Sequence, residues 1–397
     1  RVKPLDVRDG DWPTYQGDNA RSSTADVEIP RSVTRQWSFS LPSDGFPTAP
    51  VTAGRVVFFG DRNGVVRAVR AADGELQWQA HTGGAIYFPP AIEDGRLFVG
   101  SADGRVYAYE AATGSPLWTF RAAPADRWIP VYGKLISTWP VAGGVVVQDG
   151  VVYAAAGIAH YDGTHVYALD ATSGKAKWYN DSSGTISQKA NHGVSLQGNL
   201  SIRSGELRFV GGGVHEEARY DLATGKCLNQ PSDLPRSTCH TSFYAYFPDY
   251  GKYASLDSTR ADGKSLCYDC TYEGSWHGNL MLLPALQPGQ RRPPKPVSRW
   301  GVQRGARQVR SIWQQQSGRR FNSFIVADDA LVAAGHTGPD GKDTSFLAAI
   351  NPEDGSDLWL EDLPGRVVKG GTAINHEGQL FVSLENGEVV CFGANGR

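Results

Sequence analysis

The chain has 397 residues, 40% of them hydrophobic and 20% charged, with 47 glycines, one methionine and a formal net charge of -2. That composition suits a large glycine-turned β protein and leaves no global charge to recruit nucleic acid or an anionic membrane. No run of 18 apolar residues occurs, so no membrane-spanning helix is expected.

The chain opens Arg1-Val2-Lys3-Pro4. The absence of Met fits a mature chain whose signal peptide has been removed, and so an exported protein, periplasmic or extracellular. Residues 1–30 read as an N-terminal extension. Beyond them one template recurs: a strand, a turn ending in Thr-Gly, Ser-Gly or Asp-Gly, and a Trp four residues after that glycine. Copies end at Trp78, Trp118 and Trp178, with weaker ones at Leu228 and Trp359. In the fifth copy the Trp is delayed, and Trp300 is expected to fill its place. The seventh stops at Gly396, and its missing partner is the segment Ser32–Trp37 near the other end of the chain.

Seven turn glycines result: Gly74, Gly114, Gly174, Gly225, Gly289, Gly355 and Gly396. Propeller blades need roughly 40 to 50 residues. The chain is therefore all-β, a seven-bladed β-propeller of four-stranded blades spanning 31–397. Insertions fall between 120 and 320, and pairing of N- and C-terminal strands leaves no free sheet edge. Asp103-Gly104, Asp149-Gly150 and Asn386-Gly387 are hairpin signals, because a type I′ turn needs positive φ. The recurrent Trp is expected to cover the interface to the next blade.

The repeat around Tyr167–Trp178 resembles the tryptophan-docking motif of quinoprotein alcohol dehydrogenases and of PQQ-binding-like repeat proteins, among them the outer-membrane-assembly lipoproteins. The opening Asp11-Trp12-Pro13-Thr14-Tyr15-Gln16-Gly17 is similar to the segment before the first blade in exported bacterial members of that group. The resemblance implies a propeller. For the dehydrogenases it implies eight blades, adjacent cysteines covering the quinone, and calcium near a catalytic Asp. This sequence has seven repeats and no Cys-Cys pair, which counts against PQQ.

Where innermost strands begin, and in the loops joining the second and third strands of each blade, polar and aromatic residues gather on one expected face. His192, His240, Tyr87, His160 and His215 are candidate acid–base residues. Lys369, Asn322, Trp139, Arg62 and Trp276 are candidate substrate contacts. His160, His215, His277 and His336 could hold a divalent metal such as calcium, zinc or manganese. The set would suit β-elimination on an acidic, uronate-containing polysaccharide by an exported monomeric lyase; the alternative is a non-catalytic scaffold or glycan- or protein-binding propeller. Of five cysteines, Cys391 reads as a buried hydrophobe. Cys227, Cys239, Cys267 and Cys270 are open between a disulfide, a zinc site and free thiols.

Overall fold

The computed structural model describes residues 2–43, 45–131, 133–186, 193–196, 198–210, 217–230, 254, 256–268, 280–285, 311–315, 318–337 and 344–395. It is a seven-bladed propeller. Blade 1 comprises Val51–Ala53, Val56–Gly60, Val65–Arg70 and Leu76–His81, paired in that order, and blade 2 repeats the plan from Ala91–Glu93 to Pro116–Arg121. Blades 3, 5 and 6 start at Val145–Gln148, Leu256–Thr259 and Arg319–Val326. Burial identifies the central strand of each blade. Val51–Ala53 is buried throughout, whereas Leu76–His81 is mostly exposed, with Trp78 half-buried and Ala80 buried, as an outer edge strand is.

Blade 7 is assembled from both ends of the chain. Val367–Ile374, Leu380–Leu384 and Glu388–Ala394 are joined by Val33–Ser40 as the outermost strand. The pairing runs from Val33 opposite Ala394 to Ser40 opposite Glu388. Trp37, Val57, Phe59, Val69, Phe381, Val389 and Cys391 form one apolar cluster that welds blade 7 to blade 1. Cys391 is fully buried, and burial pushes its thiol pKa up.

The repeat acts at the seams between blades. The ring of each docking Trp lies on the turn glycine of the following blade: Trp37 on Gly74, Trp78 on Gly114, Trp118 on Gly174, Trp178 on Gly225 and Trp313 on Gly355. A Cβ on Gly174 would stand 2.7 Å from the Trp118 ring, and its φ of +69° already requires glycine. Each indole N–H then donates to a carbonyl of the same turn, as Trp118 Nε1 does to Ala171 O at 3.0 Å. In blades 1, 2, 3 and 6 an alanine faces the Trp across the strand pair, as Ala68 faces Trp78 and Ala108 faces Trp118, and a bulge adjoins it. In blade 5 this role falls to Trp313, not to the expected Trp300, which lies outside the described residues.

Blade 4 departs from the plan. Its described strands are Ser201–Arg203, Glu206–Val210 and Glu217–Asp221. The fourth is represented by one bridge between Tyr220 and Cys227 and by Leu228 N donating to Arg219 O at 2.8 Å. The Asn229 side chain completes the edge. Its Oδ1 accepts from Arg219 N at 2.9 Å and its Nδ2 donates to Glu217 O at 2.9 Å, so one side-chain amide substitutes for a missing peptide group.

The N-terminal segment crosses the ring as a strap. Thr52 N donates to Trp12 O, Ile92 N to Pro13 O, Ile202 N to Asn19 O and Val326 N to Ser23 O. Asn19 Nδ2 donates to Val147 O at 2.6 Å. The strap thus satisfies backbone groups at the far ends of the central strands in blades 1, 2, 3, 4 and 6. The buried Asp11 carboxylate ties it to blade 7 through His376 Nδ1 at 2.7 Å. One mouth of the channel is therefore crossed by the chain's own backbone.

Two elements differ from sequence expectation. Ser137-Thr138-Trp139 does not start the central strand of blade 3, which begins at Val145 after Gly143-Gly144. Residues Trp128–Val131 and Lys134–Ser137 instead form a separate two-stranded hairpin between blades 2 and 3. The one helical turn among the described residues is a short 3-10 segment, His160–Asp162.

Candidate functional site

The mouth opposite the strap is built from the loops that precede each central strand and those that join the second and third strands. In blade 1, Asp61 anchors this loop. Its carboxylate accepts from Asn63 N at 2.8 Å and Val65 N at 3.0 Å, and it pairs with the buried Arg67 at 2.6 Å. That fixed turn holds up Arg62, whose guanidinium lies 3.9 Å over the Phe46 ring and 6.0 Å from Tyr87. Burial raises the Tyr87 phenol above its ordinary pKa. In blade 2 Ser101 stands in the place of Asp61, and the loop's carboxylate is Asp103, two residues on, which accepts from Arg105 N at 3.0 Å, Gly83 N at 3.1 Å and the Tyr107 hydroxyl.

Above these loops sits the hairpin. Its lower side carries Ile129, Val131 and Ile136, which pack with Tyr87 onto Ala85, Ala102 and Ile158. Its upper side carries Trp128, Pro130 and Leu135, because alternate residues of a strand face opposite ways and Pro130 pairs with Leu135. Leu135 is 65% exposed and Trp128 42%. Lys134 Nζ donates to Arg62 O at 3.0 Å and Asn63 Oδ1 at 3.1 Å, pinning the hairpin tip to blade 1. Arg127 lies 5.1 Å over Trp139, whose indole N–H donates to Asp162 O at 2.6 Å.

The remaining described candidates are dispersed. His160 is buried in the 3-10 turn of blade 3; its N–H donates to Ser195 Oγ at 2.9 Å and its Nδ1 lies 3.4 Å from the same oxygen. Burial lowers its pKa. His336 is buried in blade 6, with Nδ1 3.3 Å from Asn322 Oδ1. Lys369 is the third residue of blade 7's central strand and its one exposed residue. Protein crowds the ammonium closely enough to lower its pKa by desolvation, while solvent still reaches it, as expected of a side chain in a channel. Beside it the strap's Tyr15 hydroxyl donates to Lys369 O at 3.4 Å, and the Tyr15 ring stands edge-on to Phe88 at 5.4 Å. Burial pushes the Tyr15 phenol to about 12.

The structure thus brings Arg62 and Tyr87 together, with Trp139 near the same hairpin, but places His160 and His336 in blades three steps apart around a ring of seven. His192, His215, His240, Trp276 and His277 lie outside the described residues. Phe46, the hairpin and Tyr15 were missed by the sequence reading. The hairpin had a visible signal, since short apolar runs, Trp128-Ile129-Pro130-Val131 and Leu135-Ile136, flank Gly133.

A propeller with one strapped mouth and one mouth dressed with aromatic and apolar groups defines the class: a repeat propeller of the quinoprotein type. Two overlapping stretches, residues 29–131 and 62–236, match the family model described as outer membrane protein assembly factor BamB. Together they take in more than half of the chain, and the chain belongs to that family. It is 29% identical over 110 residues to the BamB of Burkholderia pseudomallei, covering 28% of this chain and 25% of that one. It is 35% identical over 130 residues to the dehydrogenase subunit of a quinone alcohol dehydrogenase from Acetobacter aceti, covering 28% of this chain and 16% of that one. The matched stretches span about a quarter or less of the curated relatives. Among solved structures, the quinohemoprotein alcohol dehydrogenase of Pseudomonas putida HK5 superposes with a TM-score of 0.61 at 14% identity, covering 98% of this chain and 81% of that one. A europium-containing methanol dehydrogenase gives 0.59 at 11%, covering 98% and 99%. These likenesses establish the shared fold.

The quinone and metal implied by the dehydrogenase resemblance can be tested against the residues present. Among the described residues no group of three or more His, Cys, Asp or Glu side chains could hold a metal. Asp61 and Asp103 are already committed to their own turns, and Lys369 supplies positive charge in the channel where a cation would need acids. No adjacent cysteines occur in the sequence. The described residues do not fit a metal-bound quinone.

The expectation of a polysaccharide lyase with a polysaccharide or oligosaccharide ligand is overturned. The relatives found are assembly factors and quinone-dependent alcohol dehydrogenases, and none of those named is a lyase. The geometry agrees. Tyr87 has its pKa raised by burial, which disfavours a phenolate base, and His160 is turned into the protein against Ser195.

Proposed function

We propose that the chain is an exported, non-catalytic scaffold that binds a protein of the outer-membrane assembly machinery through the face opposite the strap. Family membership supports the partner class. The observation that carries the reading is the hairpin. A lone two-stranded ribbon is marginal in water, yet this one is fixed on its lower side and offers an apolar upper side of Trp128, Pro130 and Leu135 to solvent. Exposed apolar groups on a rigid support, rimmed by polar ones, are the makings of an interface anchor. In this reading Arg62, Tyr87 and Trp139 support the docking platform, and residues 1–30 serve the propeller as its strap. Its place of action is the periplasmic side of the outer membrane.

Leu135→Glu tests this without touching the core. A photo-crosslinking residue at position 135 is expected to capture an assembly-machinery component in host cells. Leu135→Glu is expected to lower the yield of assembled outer-membrane β-barrels by several-fold. Full complementation by Leu135→Glu together with no crosslink would overturn the proposal.

A further inference from the structure

A cavity of about 320 Å³ opens at the strapped mouth, between the strap and blades 4 and 5, lined by Ala20, Arg21, Ser22, Ser23, Arg203, Leu256 and Asp257. Its two arginines clasp strap and blade reciprocally. Arg21 Nε, from the strap, donates to Leu200 O at 2.8 Å, and Arg203 Nε, from blade 4, donates to Ala20 O at 2.8 Å. Arg21 is only 9% exposed. Its Nη1 donates to Thr14 Oγ1 at 2.8 Å, Tyr15 O at 2.7 Å and Asp18 O at 3.2 Å. All these acceptors are neutral, and the Asp18 carboxylate is spent on Ser22. Among the described residues no carboxylate forms an ion pair with either arginine.

A buried guanidinium satisfied only by neutral oxygens retains its full charge in a poorly solvated site, and a second guanidinium beside it adds repulsion. Burial pushes Arg21 down to about 10, with Tyr15 and Asp18 opposing the fall and the nearby Arg203 adding a little to it. The backbone is held against its preference to make this arrangement, with φ of +60° at Arg21 and +57° at Ser23. Left-handed conformations at non-glycine residues persist only where the surroundings enforce them, and here they turn Arg21 inward and set Ser23 on the cavity wall. The Ser23 hydroxyl makes no hydrogen bond among the described residues, which leaves it able to donate. An oxyanion entering the cavity would relieve the repulsion between the arginines. Planar guanidinium forks suit phosphate oxygens in particular.

We propose that this cavity binds a phosphate group, held between Arg21 and Arg203 with the Ser23 hydroxyl as a further donor. It is separate from the docking hairpin, at the opposite mouth of the channel, and does not depend on it.

The test is calorimetric titration of the intact chain with inorganic phosphate. Saturable binding is expected, weakened roughly tenfold or more by Arg203→Gln, which loses one charge-assisted contact. Arg203 is exposed, so this variant keeps its fold, and Arg203→Lys should restore part of the affinity. Leu135→Glu should leave binding unchanged. Absence of saturable binding, or equal affinity in wild type and Arg203→Gln, overturns the proposal. Co-sedimentation with phosphatidylglycerol-containing vesicles, against phosphatidylcholine alone, identifies the source. Arg203-dependent vesicle binding assigns the site to a lipid headgroup, and phosphate binding without it assigns the site to a soluble phosphate.

Discussion

Blades 1–3 and blade 4 answer the same packing problem differently. In blades 1–3 a Trp on the outermost strand docks on the glycine turn of the next blade and donates a hydrogen bond into it. In blade 4 the position four residues after the turn glycine, where blades 1–3 carry Trp, holds Asn229 and not the expected Leu228, and among the described residues the strand that should carry it shrinks to a bridge capped by that side chain. The contrast teaches that the repeat motif is a device for the seam between blades more than for the blade itself. Blade 4 receives a Trp from blade 3, Trp178 on Gly225, but offers none onward.

The sharpest way to break the contrast is to remove the device where it is present. Trp118→Ala deletes a large ring and an indole donor at one seam, and is expected to cost about 3 kcal/mol, at the low end for Trp truncation because the ring is partly exposed. Leu228→Ala, next to the matching place in blade 4, is expected to cost about 1 kcal/mol. Chemical denaturation of both variants measures the difference, and equal losses would show that the outer strand of blade 4 holds its seam as firmly as Trp118 holds its own. Asn229→Ala comes next. It strips two hydrogen bonds from an open edge, for an expected loss of about 1–2 kcal/mol and faster aggregation on warming, followed by light scattering. Asn229→Asp keeps the acceptor and should recover part of the loss.

The smallest effect separates blade 3 by pH. Burial lowers the pKa of both His160 and His165, so the unfolded chain takes up protons that the folded chain resists. Stability is therefore full above the ordinary histidine pKa of about 6.5 and declines as pH falls below it, by about 1 kcal/mol or less. His160→Gln should flatten the dependence of Tm on pH between 7 and 5. An unchanged slope would place the proton uptake elsewhere.

The ring architecture was legible because its signals are local. A glycine of positive φ, a small residue opposite a large one and a Trp four positions on all fall within one turn, as at Ala168, Gly174 and Trp178. The split blade was legible too, since the last repeat lacks a Trp that the first strand supplies at Trp37. The strap's partners were not, because Asn19 meets Val147 and Ile202, and Arg21 meets Leu200, across separations that no periodicity encodes. The histidines misled for a related reason. Similar loop positions in different blades look equivalent in sequence, yet the ring sets blades 3 and 6 apart, and His160 and His336 each turn inward to their own partners.

Closure by Val33–Ser40 has a consequence in time. The outermost strand of blade 7 is made before the other six blades, and its pairing partner, Glu388–Ala394, is made after them. Until that partner arrives, the first strand must wait with its edge unpaired, as must the Trp37 seam to blade 1. Any cell that exports this chain end-first must therefore shelter an open ring while the intervening blades are made, and the native circle snaps shut only when Glu388–Ala394 is delivered.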